Sequence, residues 1–434
     1  MPVVAILRER KIVKSEDRDD HQERPGSPPY VWIQLWRGKA ETATVVPELL
    51  PVEWHFLECI AFYNTVVLEF VQTSQAIPSG FNEPYSARAA EPMMDTIVAF
   101  TLAVRIATVS RVYGNRLQPS EAYNTAHLWS HLYRRVENTL QKINYDIKNR
   151  PFTAIPAILQ NIHGIKGVEL MLQSPGWRPH MEGFLALLKF YGGPKVVLNR
   201  YGIGHAPNDC VVESVIANTV APPNDQILGV SDFSNEDIIF LYSHMSHPSL
   251  PCPTLLFEEI LNINHLRVGM YYGALTRPEV CLRADKIFAR IDEFVPSKWT
   301  ESYPLPDIPE VPLLAHIFQV AVGLFGRLVL PVGDGALGHK DRVKRRDSLL
   351  QLISKAFESE NCQSALNWPL AVVGYALAGG SPNDQALVSR YLVEAAIEPN
   401  STQPLVIKAK LQRFWASGMT EWDDCWREPF VVIG

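Results

Sequence analysis

Apolar residues recur every three to four positions along most of the chain, which is the spacing of one face of an α-helix. The segment "WRPHMEGFLALLKFYGGP" shows this most clearly. Its apolar stripe consists of Trp177, Met181, Phe184, Leu188 and Tyr191. Gly192 and Gly193 are predicted to end the helix, because glycine adopts the left-handed cap without strain, and Pro194 is predicted to prevent its resumption. Gly183, inside the helix, is predicted to let a second helix approach closely.

The same periodicity predicts a succession of helices from residue 52 onward. The predicted helices cover residues 52–71, 91–114, 120–143, 153–173, 177–191, 236–245, 254–275, 313–330, 347–359, 367–380, 384–396 and 404–418. The segment 313–330 is apolar nearly all round, which indicates a central core helix.

Four segments are predicted to be irregular. These are a loop or short helix over 206–229, a proline-rigid turn over 247–253, an extended linker over 297–312 and a mobile loop over 331–340. Weak strand signals occur only at 30–36 and at the C-terminal tip. The predicted class is therefore all-α, a large irregular helical bundle with few or no strands.

Composition and charge narrow the functional classes. Residues 1–50 are charged and aperiodic and are predicted to be largely disordered, followed by a helical region over 51–434. The formal net charge of −6 offers no strongly basic domain for nucleic acid. The six cysteines include no CxxC pair, which favours free thiols over a zinc cluster. No uninterrupted apolar run is long enough to span a membrane, so a soluble intracellular protein is expected.

Candidate metal ligands occur in "YSHMSHPSLPC", where His244, His247 and Cys252 lie close together and His265 follows on the next helix. With neither a second cysteine nor a carboxylate beside them, a proline-stiffened turn is the favoured interpretation. The pair Gly202 and Gly204 lacks the third glycine of a dinucleotide-binding loop. No catalytic, cofactor-binding or metal-binding residue is assigned.

Two groups of charged residues have competing interpretations. The basic cluster "HKDRVKRRD", residues 339–347, fits a nuclear import signal or a phosphate-contacting patch, or else a solvated first turn of the next helix. The pairs Glu258–Glu259 and Asp423–Asp424 have no partner acid or base in view, so exposed helical carboxylates are expected there.

Four segments resemble, in the correct order, the fungal-specific transcription factor regulatory domain, the helical region that follows the zinc binuclear cluster in fungal regulators. The first is the Trp177-x-x-His180-x-x-Gly183 pattern with its glycine stop. The others are "CPTLLFEEILNINHLR", "ALNWPLAVVGYAL" and "LQRFWASGMTEWDDCW". The resemblance spans roughly residues 50–434. It implies a nuclear transcriptional regulator of a biosynthetic or catabolic gene cluster, all-α and not an enzyme.

The resemblance also implies partners. Other transcription factors or co-regulators are expected, with a small-molecule effector, homo- or heterodimerisation, no membrane, and only indirect or weak DNA contact. The family's cysteine-rich zinc module precedes this domain, whereas here the first cysteine is Cys59, inside a predicted helix. The sequence is therefore expected to lack that module.

Two alternatives remain open. One is an interaction scaffold or dominant-negative partner that titrates full-length regulators. The other is a tailoring enzyme that reuses the fold, for which His163, His180, Tyr242 and His244 would have to converge in one polar cavity.

Overall fold

The computed structural model describes residues 93–112, 126–202, 205–244, 250–301, 310–331, 336–396 and 403–432. In these ranges the chain forms sixteen α-helices, two short 3₁₀ helices and no strand, which confirms the all-α prediction. The predicted lead over 1–50, the strand over 30–36 and the helix over 52–71 lie outside the described residues.

The helices follow one another through short connections. In chain order they are α1 Met94–Val112, α2 Ala126–Asn149, α3 Ile155–Met171, α4 Trp177–Phe190, α5 Pro194–Tyr201, α6 His205–Thr219, α7 Asn235–His244, α8 Thr254–Tyr271, α9 Arg277–Glu293, α10 Pro296–Glu301, α11 Val311–Val329, α12 Ala336–Ala356, α13 Asn367–Ala376, α14 Pro382–Ala395, α15 Gln403–Ser417 and α16 Trp422–Cys425. The 3₁₀ helices are Val230–Asp232 and Glu360–Leu366.

The apolar helix α11 is central, as predicted. It packs against α8, α9, α10, α12 and α13. By length and composition alone it is apolar enough to cross a membrane, but most of it is buried against the rest of the protein, and a core helix passes the same test. One of its polar residues has an internal role: Gln319 Nε2 donates to the carbonyl oxygens of Ile291 and Phe294 at the end of α9, at 2.7 and 2.8 Å.

The stripe predicted on α4 is confirmed, since all five of its side chains are buried. Gly192 and Gly193 have φ values of +99° and +89°, which glycine adopts without strain. Two details were wrong. Pro194 opens α5 as its first residue, where its missing N–H costs nothing. Gly183 is exposed, with no described atom within 4 Å of where a Cβ would lie, so no helix in the described part of the chain approaches it closely.

Most predicted irregular segments contain more helix than expected. The region 206–229 was predicted as a loop or short helix, yet α6 runs through it as far as Thr219. The predicted loop over 331–340 is wrong from Ala336 onward, where α12 begins, and α10 occupies part of the predicted linker over 297–312. The tip at Phe430, Val431 and Val432 is buried but forms no strand in the described part of the chain.

Helix α3 lies between two apolar cores. The larger core runs from α3 through α16, and the smaller is built from α1, α2 and one face of α3. Helix α1 crosses α3 closely at Gly164 and Gly167. A Cβ on Gly164 would lie 2.1 Å from Thr96 Cγ2. The Thr96 hydroxyl donates to Asn161 Oδ1 at 2.6 Å and so fixes the crossing.

Candidate functional site

The C-terminal end of α6 is the point on which donors from three distant segments converge. Trp368 Nε1 donates to Thr219 Oγ1 at 2.9 Å, and Trp422 Nε1 donates to the Thr219 carbonyl at 2.8 Å. Arg267 Nη1 approaches the same carbonyl at 3.4 Å. The last carbonyls of a helix have no intrahelical partner and carry partial negative charge, so Trp422 and Arg267 satisfy the Thr219 carbonyl, while Trp368 holds the Thr219 hydroxyl. We call Thr219, Arg267, Trp368, Trp422 and Asp423 the α6 cap.

An ion pair completes the α6 cap. The buried guanidinium of Arg267 donates through Nη2 to Asp423 Oδ1, although burial lowers the pKa of Arg267 and Asp423 opposes that effect. Asp423 is exposed on α16, as expected, but the expectation that it has no charged partner is wrong. Asp424 instead accepts from the backbone N–H of Glu421 at the start of α16.

The two members of the pair Glu258–Glu259 also differ from each other in their surroundings. Glu258 is exposed, as expected, whereas Glu259 is buried. Its carboxylate accepts from Arg290 Nε and Nη2 at 2.5 and 2.8 Å, and from Asn262 at 3.1 Å. This bidentate contact joins α8 to α9 and leaves Glu259 an architectural role.

The four segments that carry the family resemblance supply packing residues. Arg267, Trp368 and Trp422 come from the second, third and fourth segments and meet at Thr219. The glycine at position 374, in the third segment, is explained by close packing. A Cβ there would lie 2.4 Å from Leu411 Cδ1 of α15. The motif positions thus account for how helices far apart in sequence assemble.

A second polar centre lies between α3 and α6. Lys166 is buried, and its Nζ donates to Glu213 Oε2 at 2.5 Å. One turn earlier on α6, Asp209 Oδ2 lies 3.6 Å from His163 Nε2. Cys210 Sγ lies 3.5 Å from His163 Nδ1. We call His163, Lys166, Asp209, Cys210 and Glu213 the α3–α6 cluster.

Burial and the neighbouring charges together set the electrostatics of this cluster. Burial, and after it the neighbouring Glu213 carboxylate, raise the pKa of Asp209 to about 8 against the opposing effect of Lys166. Burial alone would lower the pKa of Lys166, but Glu213, Cys210 and Asp209 outweigh it and the net direction is upward. The lysine is therefore charged, and one buried cation faces two carboxylates.

The contacts of Cys210, His163 and Asp209 resemble a nucleophile, a base and an orienting acid. A reactive cysteine needs an accessible thiol and a low pKa. The Cys210 thiol is fully buried, and burial raises its pKa. The arrangement therefore suits a structural ion network better than nucleophilic catalysis.

The enzyme hypothesis required four residues to converge, and the described contacts place three of them in separate environments. His163 belongs to the α3–α6 cluster. Burial lowers the pKa of His180, which Glu169 opposes. The Tyr242 hydroxyl lies 3.0 and 2.6 Å from the carbonyl oxygens of Leu250 and Cys252, and its single proton can be shared between them, which holds the proline-rich turn. The side chain of His244 lies outside the described residues.

Part of the candidate metal site can be placed. Cys252 is buried, its thiol 3.6 Å from the Pro253 carbonyl, whereas His265 is exposed on α8. His247 and the His244 side chain are not among the described residues. Within the described ranges, no group of three or more His, Cys, Asp or Glu side chains is arranged to hold a metal.

The basic cluster 339–347 forms the first turns of α12, as the solvation alternative predicted. Several of its charges are paired. Arg345 contacts Asp341 and Asp292, and Arg346 contacts Asp347. His339, Lys340 and Lys344 remain exposed. The basic surface is therefore smaller than the sequence suggests.

Sequence reasoning found His163 but missed Lys166, Asp209 and Glu213. The available signal was the i, i+4 spacing of Asp209 and Glu213 within an otherwise apolar stretch. It was overlooked because "APNDC" has the composition of a turn. Glu213 pairs with Lys166, which lies 47 residues away in the sequence, so no local pattern predicts the contact.

Comparison with known proteins gives a curated relative. Over 264 residues the chain is 27% identical to the phomenoic acid biosynthesis cluster-specific transcriptional regulator of Leptosphaeria maculans. The match covers 58% of this chain and 50% of that protein, so the chain spans about half the length of the relative it matches. No family model matches the chain. No solved structure matches it significantly.

Proposed function

We propose that this chain is the regulatory part of a transcriptional regulator that acts in the nucleus on a biosynthetic or catabolic gene cluster. The observation that carries the proposal is its similarity to a cluster-specific transcriptional regulator over 264 residues. The α6 cap supports it, since three of the four segments that resemble the fungal regulatory domain supply its residues other than Thr219. Such a role requires a stable scaffold that receives signals rather than a reactive centre.

We propose further that the chain reaches DNA through a partner. The six cysteines of the sequence contain no CxxC pair, and the basic surface of α12 is partly neutralised by Asp292, Asp341 and Asp347. Strong binding to the phosphate backbone needs several unpaired lysines or arginines on one face. The partner would be another transcription factor or co-regulator, contacted in a homo- or heterodimer, and a small-molecule effector would bias the contact.

Chromatin association tests the regulatory role. The tagged chain should be nuclear and enriched at the promoters of one gene cluster, and deletion of its gene should change transcript levels there. The Leu282→Ala variant, a change on the exposed surface of α9, is the matched control and should behave like wild type. Cytosolic residence under all growth conditions, with unchanged transcripts, would contradict the proposal.

A second measurement separates direct from indirect DNA contact. Purified chain should show weak binding to promoter DNA at physiological salt, without sequence preference, whereas a cross-linked pull-down from nuclei should recover a zinc-cluster protein. Tight, sequence-specific binding by the purified chain alone would overturn the proposal that it reaches DNA through a partner. It would leave the proposed regulatory role intact.

The scaffold alternative makes a different prediction. A dominant-negative partner should lower transcription of the target cluster when overexpressed, and its deletion should raise it. An activator should show the opposite pattern. The α3–α6 cluster argues against the enzyme alternative, because its only thiol is buried and protonated.

A further inference from the structure

An exposed group of aromatic side chains lies where the end of α4 meets the turn between α2 and α3. The rings of Phe152 and Phe190 stack with their centroids 6.3 Å apart, and both meet the Tyr191 ring edge-on. The two phenylalanines are 63% and 65% exposed, whereas Tyr191 is buried. Val196 of α5 lies against Gly192 and is also exposed. We call Phe152, Phe190, Tyr191 and Val196 the aromatic patch.

The backbone holds the two exposed rings in place before anything binds to them. Phe190 is the last residue of α4, and the N–H of Gly193 donates back to a carbonyl of the last helical turn at 2.9 Å. The N–H of Ala154 donates to the Arg150 carbonyl at 3.1 Å and closes the turn that carries Phe152. Rigid aromatic rings lose little freedom on binding, which makes them effective anchors at protein interfaces. A stacked pair from two separate elements is therefore suited to binding.

Five basic side chains flank the aromatic patch along the chain. They lie within four residues of Phe152, Phe190 or Val196 and are Lys148, Arg150, Lys189, Lys195 and Arg200. Three of the five pair with an aspartate. Lys148 and Arg200 have no carboxylate partner in the part of the chain that the structure describes. These flanking groups therefore carry a net positive charge, although the formal net charge of the whole chain is −6.

We propose that the aromatic patch docks an acidic segment of a partner protein, in which aspartate or glutamate side chains alternate with large apolar ones. The apolar side chains of that segment would pack on Phe152 and Phe190, and its carboxylates would face the flanking cations. The proposal rests on the proposed function for its setting, since a regulator that reaches DNA through a partner needs a surface that binds the partner.

The charges favour an acidic protein segment over two other occupants. A two-fold interface between two copies of this chain would bring the same flanking cations face to face, which is repulsive. A single-stranded nucleic acid could stack its bases on the exposed rings, but strong binding to its phosphates needs several free cations. Here only Lys148 and Arg200 are free of an aspartate within the described ranges.

Peptide binding to the purified full chain measures the docking directly. The probe is a short fluorescein-labelled peptide in which aspartate and glutamate alternate with leucine and phenylalanine, and binding is followed by fluorescence polarisation. It should bind with a dissociation constant on the order of 10 μM at low salt and more weakly as the salt concentration rises. The same peptide with lysine in place of every acidic residue should not bind.

Removal of both rings tests the apolar part of the site. The double variant Phe152→Ser with Phe190→Ser should weaken binding of the acidic peptide by about tenfold or more, because the anchors are lost. Its circular dichroism should stay that of wild type, since both rings are exposed. Leu282→Ser, a comparable exposed apolar position on α9, is the matched control and should bind the peptide as wild type does.

Charge reversal tests the electrostatic part of the site without touching the rings. The double variant Lys148→Glu with Arg200→Glu should weaken binding about tenfold at low salt and much less at high salt. The matched control reverses two exposed lysines far along the chain, Lys286→Glu with Lys298→Glu, and so gives the same total charge. It should keep most of the wild-type affinity, because the charge near the aromatic patch is unchanged.

Several results would overturn the proposal. These are no binding of the acidic peptide, equal binding of the lysine peptide, or binding that neither patch variant weakens. Tighter binding of a labelled single-stranded oligonucleotide at the same residues, or self-association of the chain that the phenylalanine variant abolishes, would assign the patch to another occupant. The outcome is separate from the chromatin test. Peptide binding at the patch without chromatin association would reject the regulatory role and keep the docking site, and the reverse result would do the opposite.

Discussion

Trp368 lies between the rings of Phe318 and Phe325, with ring centroids 6.2 and 5.8 Å away, and its Nε1 donates to Thr219 Oγ1. The Thr219 hydroxyl itself donates to the Ile216 carbonyl at 2.6 Å. One indole therefore fills core volume and completes a hydrogen-bond chain at the end of α6. Loss of the volume should matter more than loss of the hydrogen bond, because the net value of a hydrogen bond is only about 1 kcal/mol.

The Trp368→Ala variant should lower the free energy of unfolding by ~3–5 kcal/mol, the usual cost of removing a large buried ring. Trp368→Phe keeps most of the ring and should lose only about 1–2 kcal/mol. Urea unfolding followed by circular dichroism gives both values, with Leu282→Ala as the exposed control, expected within ~0.5 kcal/mol of wild type. Equal losses in the alanine and phenylalanine variants would contradict a packing role.

Asp423 is the exposed member of the α6 cap, with 47% of its side chain accessible, whereas Arg267 is buried. Asp423→Asn leaves the buried Arg267 guanidinium without its charged partner, but water reaches the site. The free energy of unfolding should therefore fall by ~1–2 kcal/mol. The loss should shrink in high salt. Asp232→Asn, in the exposed pair with Lys189, should lose less than ~0.5 kcal/mol. A larger effect at Asp232 would show that burial of the cation is unimportant.

At the scale of elements, two glycines in helix interiors test why α1, α3 and α4 lie where they do. A Cβ on Gly164 would meet the methyl group of Thr96 at 2.1 Å, and that short, stiff side chain is held by its hydrogen bond to Asn161. Gly164→Ala should therefore cost ~1–3 kcal/mol as α1 is pushed off α3. Thr96→Ser removes the methyl group while keeping the hydroxyl, so the double variant should recover part of the loss.

Gly183→Ala is the matched substitution without a clash, since no described atom lies within 4 Å of its added Cβ. It should raise the free energy of unfolding by about 0.5–1 kcal/mol through helix propensity. Thermal unfolding of both glycine variants gives the comparison. If both changes had the same sign, the close crossing of α1 and α3 would not be the reason for glycine at position 164.

The contrast between α4 and α6 shows what can be predicted from sequence alone. Helix α4 has one apolar stripe and glycines at its end, both local signals, and it was predicted nearly to the residue. Helix α6 begins with a polar, proline-containing segment and buries Asn208, Asp209 and Glu213. Polar residues on a buried helix look like a loop until their partners are known, and those partners come from elsewhere in the chain. The pairing of Lys166 with Glu213 in the α3–α6 cluster could not be predicted for the same reason, although the spacing of Asp209 and Glu213 on one helix was visible.

For the whole molecule, the four resembling segments were found in order, but the point at which three of them meet was not predicted. Sequence spacing shows that Arg267, Trp368 and Trp422 are fixed in separate helices, and tertiary packing brings all three to Thr219. The α6 cap therefore ties the last described segment of the chain to its middle. The integrity of the main core should depend on that segment although it is short.

Removal of residues 418–434 tests this dependence. The change strips away Trp422, Trp426 and Phe430, all buried, and leaves the Thr219 carbonyl without the Trp422 donor. The truncated chain should unfold over a broader range of urea and bind a hydrophobic dye, because Phe325 loses its ring contact with Trp422. A synthetic peptide of residues 418–432 should raise its melting temperature in proportion to the logarithm of peptide concentration, and the same peptide with Trp422→Ala should not. Unchanged cooperativity after truncation would mean that the larger core closes without the complete α6 cap, because Arg267 alone would then satisfy the Thr219 carbonyl.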